Sequence, residues 1–356
     1  MLFQFNPYRY NSILLKTKKD PCMRKAKLLK IKYIDNNNKE KNVNFKENTP
    51  IFLYDIEKLL SAEYGLDKHY ICVLDELIPF LKNAESGVSN PNLPVCSPRS
   101  GGGFFSCCSM ILSTIVGYYN KLKVTPFDLN TNIHYKSYYT KELYNGNLIR
   151  NNLFKNHNEF KPILFDTLVD YIHNYQYSNY KEINVKKIVP FVEKFFSPSD
   201  EIKQLFNELS KKYNIDYKKN NYCGVYYRGT DKWKETKISS VDSYINKMLE
   251  IQDKDKNVIF IIQTDTTKFI ETIKSSNKIK NYIIFEENKT SNTNKGTHWT
   301  FSKEENYNQI KYCMTIFHII ANCNSIIFGT GNCSIWITFF RGNTNNIYQS
   351  LNNVWV

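Results

Sequence analysis

The sequence predicts an α/β protein whose C-terminal third is a parallel sheet with helices on both faces. Three observations carry this expectation. Short uninterrupted apolar runs, Tyr222–Tyr227 and Val258–Ile262 among them, recur in the last third and read as strands buried on both sides. Runs of helical period separate them, as in Val241–Ile251 and Ile310–Ala321. Each strand also runs into a polar group or a Gly/Thr turn, at the edge where open α/β sheets hold ligands. A chain of 356 residues exceeds one ordinary domain. The expected division is an N-terminal domain over 1–215, a Rossmann-like domain over 216–345 and a C-terminal tail over 346–356. The boundary falls in the Lys/Asn-rich segment Lys218-Lys219-Asn220-Asn221.

Residues 1–90 have an irregular pattern. Asp35-Asn36-Asn37-Asn38-Lys39-Glu40-Lys41-Asn42 reads as a turn or exposed loop between two apolar segments. Val73–Leu81 suits a helix or a strand, and periodicity does not separate the two. From Pro91 to Gly103 the chain is dense in Pro, Ser and Gly. It then enters Phe104–Tyr119, where Met110, Ile111, Thr114, Ile115 and Tyr118 recur at helical spacing, so the loop Gly101-Gly102-Gly103 opens a helix. Leu164–Tyr175 and Ile202–Tyr213 are amphipathic and read as helices. Tyr222–Tyr227 is the first strand of the last third, and Ser239-Ser240 supplies the N-cap of helix Val241–Ile251. Next come strand Val258–Ile262, the short helix Thr267–Ile273 and strand Tyr282–Phe285. The long apolar helix Ile310–Ala321, strand Ser325–Phe328 and helix Gly331–Phe340 complete the series.

Composition narrows the function classes. Hydrophobic residues make up 42% and charged residues 23%, a globular balance with apolar side chains enough for a sizeable core. No run approaches the roughly 18 apolar residues of a membrane span. Asn6, Pro7, Arg9 and Asn11 interrupt the start as a signal peptide, so a cytoplasmic protein without a membrane span is expected. Forty-eight basic against 34 acidic residues leave a net charge of +14, which attracts polyanions in general. The excess is mostly Lys scattered among Asn, Ile and Tyr, a mixture that AT-rich codons produce, so charge alone does not make a nucleic-acid binder. The nine cysteines form no CxxC pair and no zinc spacing with His. Free thiols in a reducing compartment, and no metal, are expected.

Candidate chemistry gathers at the strand ends. Arg228-Gly229-Thr230-Asp231-Lys232 follows the first strand, Gln263-Thr264-Asp265 the second, Glu286-Glu287 the third and Gly329-Thr330-Gly331-Asn332 the fourth. Arg228 and Lys232 offer a planar guanidinium and an ammonium, the pieces that hold a diphosphate. The last group opens a helix, where backbone N–H groups and the helix dipole favour an anion. Taken singly these are a surface ion-pair arginine and an ordinary turn. Along one sheet edge they make a nucleoside-diphosphate cradle. The GxxxxGK[ST], GxGxxG and HExxH patterns are absent, which supports neither a P-loop nucleotidase nor a dinucleotide enzyme. Asp253-x-Asp255 lies between a helix and a strand, at the other end of the sheet.

The segment Val225-Tyr226-Tyr227-Arg228-Gly229-Thr230-Asp231-Lys232 resembles the first signature of the α1,6-fucosyltransferase and protein O-fucosyltransferase superfamily, roughly H-x-R-R-T-D-K. Gln263-Thr264-Asp265 resembles the second signature and Ile326–Ile337 the third, in the same order. The resemblance covers about residues 222–340 and extends to Gly101–Tyr119, similar to the loop and helix that open the acceptor-side domain of such enzymes. Tyr226 stands in place of the signature His, and Gly229 in place of its second Arg. The acidic residue that reads guanine in the family would fall near Ile316, where nothing acidic is found.

The resemblance implies a GT-B fold, two Rossmann-like domains facing a cleft, with 1–215 on the acceptor side and 216–345 holding the nucleotide sugar. It implies an inverting, metal-independent fucosyltransferase that moves fucose from GDP-fucose to a glycan or glycoprotein hydroxyl, with no nucleic-acid partner. Arg228 would then bind the β-phosphate, with the backbone N–H groups of Thr330, Gly331, Asn332, Cys333 and Ser334. Glu235 would activate the acceptor hydroxyl, with Lys232 or Asp265 the next candidates. Thr230 belongs to the donor loop, and Asp231 fastens that loop through backbone N–H groups. Asp265 meets ribose or fixes the neighbouring Arg, and His298 meets the nucleotide or serves the structure. Two other readings share these features: a catalytically degenerate glycosyltransferase-like protein, and a basic protein gripping single-stranded nucleic acid.

Overall fold

The computed structural model describes residues 28–35, 37–46, 56–66, 69–72, 102–122, 134–155, 167–293 and 295–356, with single positions 125, 129, 131 and 165. The expectations for 1–15, 73–81 and 91–101 lie outside these residues. The chain divides into two compact units, one of 1–95 with 126–130 and one of 96–125 with 131–356. Residues 131–215 thus share a unit with the C-terminal sheet, where the expected boundary near 215 would have parted them.

In the first unit, β1 (Leu28–Asp35), β2 (Glu40–Lys46), β3 (Ile56–Leu66) and β4 (His69–Cys72) form an antiparallel sheet in the order β2-β1-β3-β4. Ile31 and Tyr33 alternate with Lys30 and Lys32, the period of a strand with unlike faces. That alternation was legible within a region expected to be irregular. The Asn-rich stretch does turn the chain between β1 and β2, with Asn38 at φ 61°.

The second unit opens with a helical layer: α1 (Phe104–Leu122), α2 (Gly146–Leu153), α3 (Val185–Phe196) and α4 (Asp200–Lys212). Strands β5 (Phe154–Lys155) and β6 (Ser197–Pro198) form a short antiparallel pair within it. The expected helix Leu164–Tyr175 does not form over its described residues, where only a 3-10 turn, His173–Tyr177, appears. The cause is competition for its backbone groups by side chains distant in sequence. The Val169 N–H donates to Asn120 Oδ1 at 2.8 Å, its carbonyl accepts from Asn120 Nδ2 at 2.8 Å, and the Phe165 N–H donates to the Tyr119 hydroxyl at 2.7 Å. Side chains of α1 thereby hold the segment out of the helical ladder.

The remaining chain alternates as expected: β7 (Tyr222–Tyr227), α5 (Val241–Lys254), β8 (Ile259–Thr264), α6 (Thr267–Ser276), β9 (Tyr282–Ile284), α7 (Lys303–Ala321), β10 (Ser325–Gly329) and α8 (Asn332–Arg341). Ser240 caps α5 by accepting from the Ser243 N–H at 3.1 Å, and Ser302 with Glu305 forms a capping box on α7. Residues 346–356, expected as a tail, contribute β11 (Ile347–Leu351) and β12 (Val354–Trp355). The turn between them is Asn352-Asn353, both at positive φ, a hairpin signal between two short apolar segments.

The six-stranded sheet runs β12-β11-β10-β7-β8-β9, parallel except for the edge strand β12. Cys223, Val225, Phe260, Ile262 and Ile327 bury one face against Met248 of α5 and Phe269 of α6. On the other face α7 packs so closely that a Cβ at Gly224 would lie 2.5 Å from Ile320 Cγ2, which is why glycine stands inside β7. The second Rossmann-like domain is not shown: among the described residues, all parallel strand pairs belong to this one sheet. No helix of the described residues is long and apolar enough to cross a membrane.

The helical layer meets the sheet through α8. Trp336 is fully buried, its ring 4.8 Å from Phe196 and 5.7 Å from Phe339. Burying a large apolar side chain contributes on the order of 1.5–3 kcal/mol. Its indole N–H donates to Ser109 Oγ on α1 at 2.8 Å, and Ser109 Oγ donates to Asn332 Oδ1 at 2.7 Å. This chain of bonds ties α1 to the first turn of α8, at the edge where the strands end.

Candidate functional site

β7 is the pivot of the sheet. From it the chain builds outward through β8 and β9 on one side and through β10 and β11 on the other. Beyond the carboxyl ends of β7 and β10 lies the crevice of a topological switch point, the place where open α/β sheets bind ligands. A cavity of about 440 Å³ occupies it. Gly102 to Ser106 at the start of α1 line one part, and Arg228, Asp231, Lys232, Glu235, Asp265, His298, Asn332 and Cys333 are also in its wall. Residues expected from three of the four strand ends and from the Gly-rich loop therefore meet around one space, while Glu286 and Glu287 lie outside it and pair with Lys212 at 3.4 and 2.7 Å.

Arg228 follows β7 and is held from three directions. Its Nη2 donates to Asp231 Oδ1 at 2.9 Å, its Nε lies 3.8 Å from Asp265 Oδ2, and its Nη1 reaches Cys333 Sγ at 3.8 Å. The guanidinium thus spans from the β8 end to the first turn of α8. Burial would raise the Asp231 carboxyl, but the guanidinium beside it holds it below its usual range. Burial pushes Asp265 up, against the pull of Arg228 and of two donors. Those donors are the Gly229 N–H at 2.8 Å and Thr230 Oγ1 at 2.6 Å. Fastening the loop backbone, the task expected of Asp231, is done by Asp265, while Asp231 orients Arg228. The Thr230 hydroxyl is spent on that bond.

Lys232 is the second cation, and it is buried. Its side chain is 4% exposed, its Nζ pairs with Glu235 Oε2 at 2.5 Å, and it lies over the Tyr177 ring at 5.0 Å. Burial lowers its pKa against the pull of Glu235. The stem lies against Gly331, where a Cβ would meet Lys232 Cε at 2.8 Å and where φ is +148°, a backbone state that L side chains rarely adopt. Glu235 is 43% exposed and also accepts from the Tyr177 hydroxyl at 3.0 Å. Burial would raise its pKa, but Lys232 and then Tyr177 bring it below the ordinary carboxylate value.

Of the five residues expected at the Gly/Thr turn, Asn332 and Cys333 line the main cavity, and Thr330, Gly331 and Ser334 line a narrow annex of about 20 Å³ that Arg228, Lys232, Asn332 and Cys333 share. Thr330 Oγ1 donates to the Ser350 carbonyl at 2.7 Å, so its role here is to anchor the turn to β11. The first-turn N–H groups of α8 have no partner within the helix, and the residues that carry them, Asn332, Cys333 and Ser334, line this annex with Arg228 and Lys232. His298 lines the cavity beside Asp231.

Other wall residues had no signal in the sequence. His173, Gln176 and Tyr177 come from the 3-10 turn of the helical layer, which overlaps the end of the expected helix Leu164–Tyr175 and runs past it. Gln263 belonged to a recognised strand end without drawing a role of its own. Among the described residues, no group of three or more His, Cys, Asp and Glu side chains is arranged as a metal ion would need. Compared with known proteins, the chain matches no family model and no curated protein.

Proposed function

We propose that this chain is a glycosyltransferase that takes a sugar from a nucleoside diphosphate and inverts its anomeric carbon without a metal. GDP-fucose is the donor favoured by the resemblance to the fucosyltransferase superfamily, and a glycan or glycoprotein hydroxyl is the acceptor. The two-domain GT-B arrangement belongs to the same proposal. The observation that carries it is the convergence of Arg228, Lys232 and the N-terminal turn of α8 on one cavity at the switch point of a parallel sheet. A diphosphate has the charge and the oxygen spacing for such a cradle.

In the transfer step the acceptor oxygen forms a bond to the anomeric carbon while the bond from that carbon to the β-phosphate oxygen breaks. The departing diphosphate gains negative charge, which Arg228 and the α8 amides stabilise because they are already oriented. The acceptor proton passes to a carboxylate. Asp231, Asp265 and Glu235 are the acidic residues in the cavity wall, and the first two are committed to Arg228 and its loop. Glu235 is the most exposed of the three and is ionised, so the base role falls to it.

Calorimetric titration with GDP, UDP, CDP and ADP, each with and without a chelator, tests the reading. Binding of a nucleoside diphosphate that ignores the chelator, GDP foremost, is expected. A strict Mn²⁺ or Mg²⁺ requirement, or no binding of any diphosphate, would overturn it.

A further inference from the structure

Four glutamines among the described residues are buried: Gln176, Gln252, Gln263 and Gln349. Two of them use both ends of the carboxamide. Gln252 donates to the Lys278 carbonyl at 3.1 Å and accepts from the Lys280 N–H at 2.9 Å. Gln349 donates to the Ser178 carbonyl at 2.9 Å and accepts from the Tyr180 N–H at 2.9 Å. The other two are different. The Oε1 atoms of Gln176 and Gln263 are buried and accept no hydrogen bond from the described residues, and both side chains line the cavity beside Arg228.

Gln263 is the sharper case. It sits in β8 after Phe260, Ile261 and Ile262, opposite Tyr226 of β7 and one residue past the last pairing with β9. It is 4% exposed, at a position where an apolar side chain would continue the strand. Leaving a buried carbonyl oxygen unpaired costs about 1–3 kcal/mol, so nothing in the folded chain itself favours Gln there. Asp265, two residues on, shares its side of the strand and also lines the cavity. Gln176 approaches from the helical layer, its Nε2 3.5 Å from His173 Nε2, next to the Tyr177 that touches Glu235. Two other amides of the cavity wall have their oxygens paired: Gln309 accepts from the Lys289 N–H at 2.9 Å and Asn332 from Ser109 Oγ at 2.7 Å.

The chemistry of the missing partner is specific. A phosphate oxygen at neutral pH only accepts, so it leaves a carboxamide oxygen unsatisfied. A hydroxyl donates to Oε1, and it equally accepts from Nε2 should the amide turn over. We propose that Gln263 and Gln176 are the hydroxyl-reading groups of this cavity, which thereby selects a diphosphate that carries sugar hydroxyls over the bare anion. This rests on the nucleotide-sugar reading above. A site built to bond a hydroxyl rejects a ligand that lacks one, because its own polar atoms are then left unpaired.

The test is Gln263→Met and Gln176→Met, titrated calorimetrically with pyrophosphate, GDP and GDP-fucose, with melting temperature measured beside them. Each variant is expected to weaken GDP-fucose by about tenfold, the scale of one hydrogen bond and the group it leaves unpaired. Pyrophosphate affinity stays within about twofold. GDP locates the hydroxyl: an equal loss assigns it to ribose, and no loss assigns it to the transferred sugar. Gln263→Met melts at or above the wild-type temperature, because removing an orphaned amide relieves the folded state. A variant that melts lower or fails to fold, unchanged GDP-fucose affinity in both variants, or an equal loss for pyrophosphate would overturn this inference alone. Failure of the wild-type protein to bind any of the three ligands would sink the nucleotide-sugar reading and the hydroxyl assignment with it.

Discussion

Arg228→Lys isolates geometry from charge. The guanidinium plane contacts Asp231 through Nη2 at 2.9 Å and Nε at 3.3 Å, approaches Asp265 at 3.8 Å and reaches Cys333 at the start of α8 at 3.8 Å. Three directions are served at once by a rigid fork. A lysine ammonium is a point charge on a flexible stem and would settle on one carboxylate, leaving the other and the helix turn without a donor. The positive charge stays, so long-range attraction of the diphosphate stays. What is lost is a preorganised donor on the departing phosphate, a loss of about 2–4 kcal/mol in comparable sites. At 1.36 kcal/mol per decade that is roughly 30- to 900-fold in the transfer step. Single-turnover transfer from GDP-fucose gives the rate, calorimetry the GDP affinity, and urea unfolding the control for fold. Arg228→Ala is less informative, since it leaves Asp231 and Asp265 facing each other without a cation and so costs stability as well. Turnover and GDP affinity of Arg228→Lys within about twofold of wild type would refute the reasoning, and Arg228 would be only a structural ion-pair partner.

Glu235→Gln should slow single-turnover transfer by about 100-fold or more while GDP affinity holds or tightens, because a base acts on the acceptor and its neutralisation frees Lys232 for the diphosphate; transfer at the wild-type rate would place the base elsewhere, with Lys232 or Asp265 next in line. Gly331→Ala should cost about 1–3 kcal/mol in urea unfolding, since φ is +148° and the new Cβ would meet Lys232 Cε at 2.8 Å, and it should weaken pyrophosphate binding in parallel. Equal unfolding midpoints for Gly331→Ala and wild type would show that Lys232 yields freely. Glu235 also predicts a pH dependence: its folded pKa is depressed below the ordinary 4.5, so its stabilisation is complete above that value and fades as pH falls through the depressed one. Acid unfolding of Glu235→Gln should lack this component below about pH 4.5, and superimposable acid limbs would contradict the Lys232 pairing.

The last third was legible because each strand there is a short apolar run and each helix carries a local start signal. Ser240 caps the helix that follows it and Gly331 marks the turn into α8, while the capping box of Ser302 and Glu305 starts α7 at Lys303, ahead of the expected Ile310. The polar groups were legible for a related reason: they follow apolar strands abruptly, and the topology of a parallel sheet gathers all strand ends on one edge. What local patterns could not reveal was competition over distance. Asn120 and Tyr119 take the backbone groups of the segment around Val169, so an amphipathic stretch became an extended one. Tyr180 donates its hydroxyl to the Gly331 carbonyl and accepts from the Gly331 N–H, each at 3.0 Å across 151 positions. No window of sequence contains both. The same limit explains the exchange of roles between Asp231 and Asp265, which both follow apolar strands and differ only in which neighbours the fold delivers to them.

Arg228 and Lys232 show how such a site can be both stable and receptive. An ammonium as buried as Lys232 carries a desolvation penalty of several kcal/mol unless it is paired, and Arg228 pays a smaller one. Each is therefore matched to a carboxylate three positions along its own loop, Arg228 with Asp231 and Lys232 with Glu235. An incoming diphosphate meets cations whose charge is already compensated, so Coulomb attraction alone gives it little advantage over the carboxylates in place. The advantage has to come from groups the carboxylates cannot use, and the first-turn amides of α8 are such groups: their residues line the same space, and the turn is fixed by the bonds from Ser109 to Asn332 and from Tyr180 to Gly331. The order of pairing has a mechanistic consequence. Once the diphosphate shares Lys232, the hold of that ammonium on Glu235 weakens, and the carboxylate becomes more basic at the moment an acceptor must be deprotonated. Under the proposed function, donor binding and activation of the base would be one electrostatic event, carried by a loop of eight residues from Arg228 to Glu235.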